Sequence, residues 1–452
     1  MTSPMTSAPT QLSRSPKLQS LVLALGLLHM PLAAQAYSLA EAAAAALAQD
    51  PSYRAAEQAR LAGQEKKPQG IAGLLPSVSG TAAARDLSYA GADLDYRSYS
   101  LSLTQPLFNL ASIQAARQGF EQVKASEATF QAARQEALLR VAEAYFKVLT
   151  EQDNLSSVQA EKTAIGEQLE QAKRSFEVGS ATVTDQQEAQ ARFDLAVAKE
   201  IAANNSLSVA RSALVLLTNQ PLPDRLVGPS GSIAIARPEP STAEPWIEQA
   251  RTNSFSVLKA QAEAVSARYE VTKKMAGHLP SLDLVANRTY SQETTAVDTN
   301  SGSNYVGLSL TVPLFAGGLT LSQTREASAL QVKADLDLQA TRLQAEQSAR
   351  TAYLNAVAGL SQVQALEAAE KSSKLALDSN KLGYEVGVRI NIDVLNAQQQ
   401  LYAAQRDLSK ARYDTLLAGL KLRASVGSLQ TNDLDSVSQL LQAAANKPAQ
   451  AQ

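Results

Sequence analysis

Two hydrophobic rhythms alternate along the chain. From Ser77 to Leu107 the texture is rich in Ser, Thr, Tyr and Gly, and it ends in strict alternation. Tyr99, Leu101 and Leu103 take one parity, and Ser98, Ser100, Ser102 and Thr104 the other. Period 2 predicts a strand with one apolar and one polar face. The polar stretch Ser88–Asp95 joins it to a partner starting near Ser77, so a β-hairpin is expected over about 77–107. The rhythm returns over about 281–314, where Leu308, Leu310 and Val312 alternate with Ser309 and Thr311. Strands of about ten residues match tilted strands that cross a bilayer.

Helical patterns fill the rest. Each hairpin ends in Pro-Leu-Phe, so Pro106 and Pro313 mark strand-to-helix junctions. Long helices follow, over 109–176 and 319–381, each about 100 Å at 1.5 Å per residue. In the first, Leu138, Val141, Tyr145 and Val148 step like the seam of a coiled coil. Return helices are expected over 185–218 and 393–427, about half as long. Short helices over 38–72 and about 242–276 would cover the remaining half of each long one. Ser38 with Glu41 reads as a capping box, and Gly73 with Pro76 as a stop.

The chain is built twice. Val178, Gly179 and Asp185 recur at one constant offset as Val386, Gly387 and Asp393, and Ala144–Tyr145 recurs as Ala352–Tyr353. The expected division is a first repeat over 37–218, a Pro-rich connector over 219–245, a second repeat over 246–428 and a disordered tail over 429–452. A short strand is expected at Ile233–Ile235.

Composition sharpens this. The 452 residues are 45% hydrophobic but 5% aromatic, which suits long helices packed over small side chains. A net charge of −2 gives no reason to expect a nucleic-acid partner. Residues 1–36 read as a cleaved signal peptide: Arg14 and Lys17, then apolar Leu18–Leu28, then Ala34–Gln35–Ala36. The competing reading is an amphipathic helix or a single anchor, but the apolar run is too short to span a bilayer. No later stretch is long and apolar enough either, so a crossing would need β-strands. The chain has no cysteine, and His278 is the one histidine beyond the leader. No metal-spaced cluster stands out, so neither an enzyme, a cofactor nor a metal site is expected. Four strands cannot close a barrel and lipid tolerates no open edge, so several chains would have to share one. Three chains give twelve strands. Two give eight, a barrel filled largely by side chains.

The two repeats, the Pro-Leu-Phe after each hairpin and the Val-Gly turns with their following Asp resemble the TolC family of outer-membrane efflux and type I secretion channels. The resemblance covers nearly all of the chain after the leader. It implies an α+β membrane protein, with a twelve-stranded trimeric barrel in the outer membrane on a long α-helical coiled-coil barrel in the periplasm. It implies the exit duct of a tripartite efflux pump or type I secretion system. The partners would be a periplasmic adaptor and an inner-membrane ABC or proton-driven transporter. The periplasmic gate links would fall to Thr184 and Asp185 in one turn and Tyr384 and Arg389 in the other, with Asp185 accepting charge-assisted bonds. From the residues alone, Asp185 is a helix N-cap and Arg389 a solvated turn cation. Asp393 matches an acidic constriction ring. The family's second acidic position is Asn396 here, and Glu188, its first-half equivalent, would restore the charge. The alternative is a periplasmic adaptor-like coiled-coil protein, against which the two equivalent hairpins stand.

Overall fold

A computed structural model describes residues 37–445, apart from 90, 91, 227, 230–232 and 295–297. The proposed signal peptide and residues 446–452 lie outside the described residues.

The short N-terminal segment forms three helices: α1 (Leu39–Gln49), α2 (Pro51–Gln64) and α3 (Lys66–Ala72). The expected single helix over 38–72 is broken because Asp50 and Pro51 restart it. Asp50 accepts from the Ser52 N–H at 2.9 Å, and Pro51 has no N–H to give to α1. Strands β1 (Ser77–Tyr89) and β2 (Ala92–Phe108) follow, then α4 (Leu110–Glu177) and α5 (Val183–Thr218). After the connector the order repeats. Helices α6 (Ala243–Asn253) and α7 (Phe255–Met275) divide at Ser254. A 3-10 turn, Ala276–His278, leads to β3 (Ser281–Thr294) and β4 (Asp298–Thr311). Helices α8 (Leu319–Glu385), α9 (Asn391–Ser425) and α10 (Thr431–Ala445) complete the chain.

The strands form one antiparallel sheet in the order β1-β2-β3-β4, so the two hairpins join through β2 and β3. Both edges, β1 and β4, are open within the chain. The two proline junctions differ. Pro106 lies within β2 opposite Asp283, where the register shifts before Phe108. A proline cannot donate to the ladder, and the shift accommodates that. The Asn109 side chain then caps α4, accepting from the Ser112 N–H at 3.1 Å. Pro313 lies beyond β4, and the left-handed Gly317 and Gly318 turn the chain into α8.

Helix α4 is the central beam. Its predicted seam, Leu138, Val141, Tyr145 and Val148, is buried against Leu39 and Ala42 of α1, Leu214 of α5, and Tyr413 and Leu416 of α9. The Tyr413 hydroxyl donates to Asp153 at 2.8 Å. Ile233–Ile235 forms no strand; Ile233 instead buries its side chain in this core from irregular backbone. The expected disordered tail is corrected over 431–445. Leu434, Ser438, Leu441 and Ala444 recur at helical spacing and bury one face of α10. Ser438 Oγ accepts from the Ala40 N–H at 2.9 Å, satisfying a free donor in the first turn of α1. By contrast, α8 leaves Leu336, Leu343 and Leu354 exposed on one side at heptad and eleven-residue spacing, with Leu375 and Leu382 further along. Among the described residues no helix is long and apolar enough to cross a membrane.

Candidate functional site: the two turns and the return helices

The two turns share one backbone design. After α4, Gly179 takes φ +75°, and the N–H groups of Ser180 and Ala181 both donate to the Ser175 carbonyl, at 2.8 and 3.1 Å. After α8, Gly387 takes φ +80°, and Val388 and Arg389 both donate to the Gly383 carbonyl, at 2.9 and 3.0 Å. Glycine has no Cβ to clash in that left-handed conformation. Gly383 has its own reason to be small, because the Arg389 side chain lies where a Cβ would be.

The turns enter their return helices differently. Thr182 caps α5 in a capping box: Asp185 Oδ2 accepts from the Thr182 N–H at 3.0 Å and from its hydroxyl at 2.7 Å. The N-cap position of α9 is Ile390, whose side chain makes no cap bond. In the chain itself, then, Asp185 is not the N-cap that the residues suggested but the third helical residue, which completes the box around Thr182. Thr184 is exposed, while Tyr384 is half-buried against Leu377, Val394, Ala397 and Leu401. Arg389 is exposed, with Nη1 3.6 Å from Asp393 Oδ2. Among the described residues no hydrogen bond or ion pair joins Thr184 or Asp185 to Tyr384 or Arg389 within one chain.

The two remaining predicted positions converge on a residue that the sequence reading missed. Arg192 of α5 donates to Asn396 Oδ1 at 3.1 Å and to Gln399 Oε1 at 2.7 Å, both on α9. It also lies 3.8 Å from Glu188, one turn back on its own helix. The charge of Glu188 is therefore offset by a cation beside it. The i,i+4 spacing of Glu188 and Arg192 was the available signal.

Deeper in, Glu161 of α4 is buried and held by two cations. Lys199 Nζ of α5 is 3.0 Å away and Arg406 Nη1 of α9 is 2.8 Å away. This carboxylate ties both return helices to the beam. Burial raises the pKa of nearby Tyr402, and the charges of Glu161 and Glu167 push the same way. Between clamp and turn, Ile165, Ala196 and Leu395 form a small apolar cluster with Phe193. Along α5, Ala189, Ala196, Ala203 and Ala210 are buried at heptad spacing, so the helix seats on its neighbours with minimal side chains. No group of three or more metal-ligating side chains occurs among the described residues.

The chain thus carries a pair of turns at one end of its long helices and an open sheet at the other. The profile of the family described as "Outer membrane efflux protein" matches residues 42–220 and 246–428. The chain belongs to that family. The Vibrio cholerae outer membrane protein TolC is 35% identical over 409 residues, 89% of this chain and 93% of its own length. The Pseudomonas aeruginosa alkaline protease secretion protein AprF is 34% identical over 410 residues, 87% of this chain and 85% of its own length. Among solved structures, the Vibrio cholerae outer membrane protein VceC aligns with a TM-score of 0.74. That alignment has 21% identity and covers 86% of this chain and 96% of VceC. This efflux-protein family has TolC among its members, is built from channel proteins rather than enzymes, and places the chain in the outer membrane as an export duct.

Proposed function

We propose that this chain is one subunit of a homotrimeric duct, closed at its turn end, that receives cargo from an inner-membrane transporter through a periplasmic adaptor. The observation that carries the trimer is the four-stranded sheet with both edges open. In lipid those edges must pair, and further copies of the same sheet close the ring. The transporter is of the ABC or the proton-driven kind. Relatives named for alkaline protease secretion and protease secretion favour protein export as one branch of its use.

The gate belongs to the two turns. Arg389 is exposed and holds Asp393 only at 3.6 Å, so it is free to change partners when subunits assemble. In the proposed closed ring, Arg389 and Tyr384 link to Thr184 and Asp185 of the other turn. Asp393 lines the constriction, with Asn396 and Glu188 beside it. The test joins fractionation to electrophysiology. The full chain should enter the outer-membrane fraction, run as a heat-labile trimer and give small conductances in planar bilayers. Arg389→Ser should raise that conductance. A stable monomer, or a trimer without conductance, would overturn the duct; an unchanged Arg389→Ser channel would overturn the gate alone.

A further inference from the structure

The apolar face of the sheet carries two arginines that have no ion pair or hydrogen bond among the described residues. Arg97, Tyr99 and Leu101 of β2 are exposed, whereas Tyr96, Ser98 and Ser100 are half-buried. On β3, Arg288 and Tyr290 are exposed and Asn287 and Thr289 half-buried. The register sets Leu101 opposite Arg288, Tyr99 opposite Tyr290 and Arg97 opposite Gln292, so all six share one face. That face continues as Val78 and Ala82 on β1 and as Val306 and Leu308 on β4. It is the apolar side, and apolar sides of membrane sheets meet lipid.

Arg97 and Arg288 bracket the Tyr99–Tyr290 pair diagonally, with Cα atoms about 14 Å apart by strand geometry. Neither makes an ion pair or hydrogen bond among the described residues. The carboxylates Asp86 and Asp95 on the same face sit opposite each other nearer the strand tips and bridge to neither arginine. Arg97 lies in the half of the sheet away from the helices, and Arg288 sits at the middle of β3, level with Leu101. They are on the two inner strands, so copies added at β1 and β4 leave them uncovered.

An arginine facing lipid is costly at the midplane and nearly free of cost near the interface. Paired tyrosines mark the headgroup level, and a guanidinium fork matches phosphate oxygens in two parallel bonds. We propose that Arg97 and Arg288, with Tyr99 and Tyr290 between them, form a binding face for a phosphate-bearing lipid headgroup of the outer leaflet. The proposal rests on the outer-membrane placement and not on the gate.

The test counts lipid A bound to the purified full-length protein by native mass spectrometry, with dephosphorylated lipid A as the comparison. Wild type should retain lipid A and release the dephosphorylated form. Arg97→Gln with Arg288→Gln should weaken retention at least about tenfold, the scale of a lost bond to a charged group. The double lysine variant, which keeps charge but loses the fork, should fall between. Arg85→Gln, whose residue lies opposite Tyr96 on the other face, should behave as wild type. Unchanged retention in the double glutamine variant overturns the proposal, as does equal retention of the dephosphorylated lipid or equal loss in Arg85→Gln. The double variant should keep wild-type conductance, so a lost lipid site is distinguishable from a lost duct, in which wild type itself conducts nothing.

Discussion

Arg192 on α5 donates to Asn396 on α9 across 3.1 Å, and its other terminal nitrogen reaches Gln399 at 2.7 Å. The strap joins the return helices of the two repeats just inside the turns. It sits where the family resemblance expects a second carboxylate, and here that position offers a neutral carbonyl to a cation. Arg192→Ala should therefore loosen the turn end. A bond of this kind is worth about 1 kcal/mol, roughly a fivefold rise in open probability in bilayer recordings. Asn396→Asp should turn this bond to a cation into a full ion pair and lower opening below wild type. Equal opening in all three proteins would remove the strap from the gate.

Glu161 gives a second prediction, this time on stability. Its carboxylate is 1% exposed and lies between Lys199 and Arg406. Glu161→Ala removes the acceptor shared by a half-exposed lysine and a partly buried arginine. The cost should be about 1.5–3 kcal/mol, read as a lower unfolding temperature. Glu161→Gln keeps an acceptor and should cost less. If the alanine variant melted with wild type, the clamp would hold nothing.

Ion selectivity tests the constriction. Asp393 is part-exposed beside Arg389 and projects from the first turn of α9. Asp393→Asn removes one carboxylate per chain, so the reversal potential in a salt gradient should move toward zero. A reversal potential equal to wild type would place the selectivity elsewhere.

The equatorial core gives a pH prediction. Desolvation holds the Asp153 carboxyl above its ordinary range, although the Tyr413 hydroxyl and the charges of Arg225 and Arg412 pull it down. A raised folded pKa means that ionising Asp153 costs the fold. Stability from this group is full below the ordinary carboxylate pKa of about 4 and falls as pH rises through the raised value. Asp153→Asn should thus melt at a higher temperature than wild type at neutral pH, since the amide still accepts from Tyr413. The gain should vanish on acidification. A gain that persists at low pH would rule out the ionisation cost.

The fold class was legible because alternation in Leu308, Leu310 and Val312 and the steps of Leu138, Val141 and Tyr145 report burial directly. The break at Asp50–Pro51 was written in capping chemistry, but an alanine-rich helical pattern runs across it and hid the restart. Helix α10 was missed for a similar reason. Its stripe of Leu434, Leu441 and Ala444 is thin, and polar neighbours dominated the reading. The spacing of Glu188 and Arg192 signals only an ion pair on one helix, because Asn396 and Gln399 approach Arg192 only once both repeats are folded. Asp185 shows the limit from the other side: that it takes part in capping α5 is readable, although Thr182 holds the N-cap, whereas a link to another turn belongs to an assembly.

The exposed leucines of α8 bear on how the protein is made. Leu336, Leu343 and Leu354 line one side of a helix about 100 Å long, and none of the described residues covers them. A lone subunit in transit therefore carries an aggregation-prone seam until a neighbour arrives. Biogenesis should couple folding to oligomerisation, so that dilution yields unfolded chains instead of native monomers.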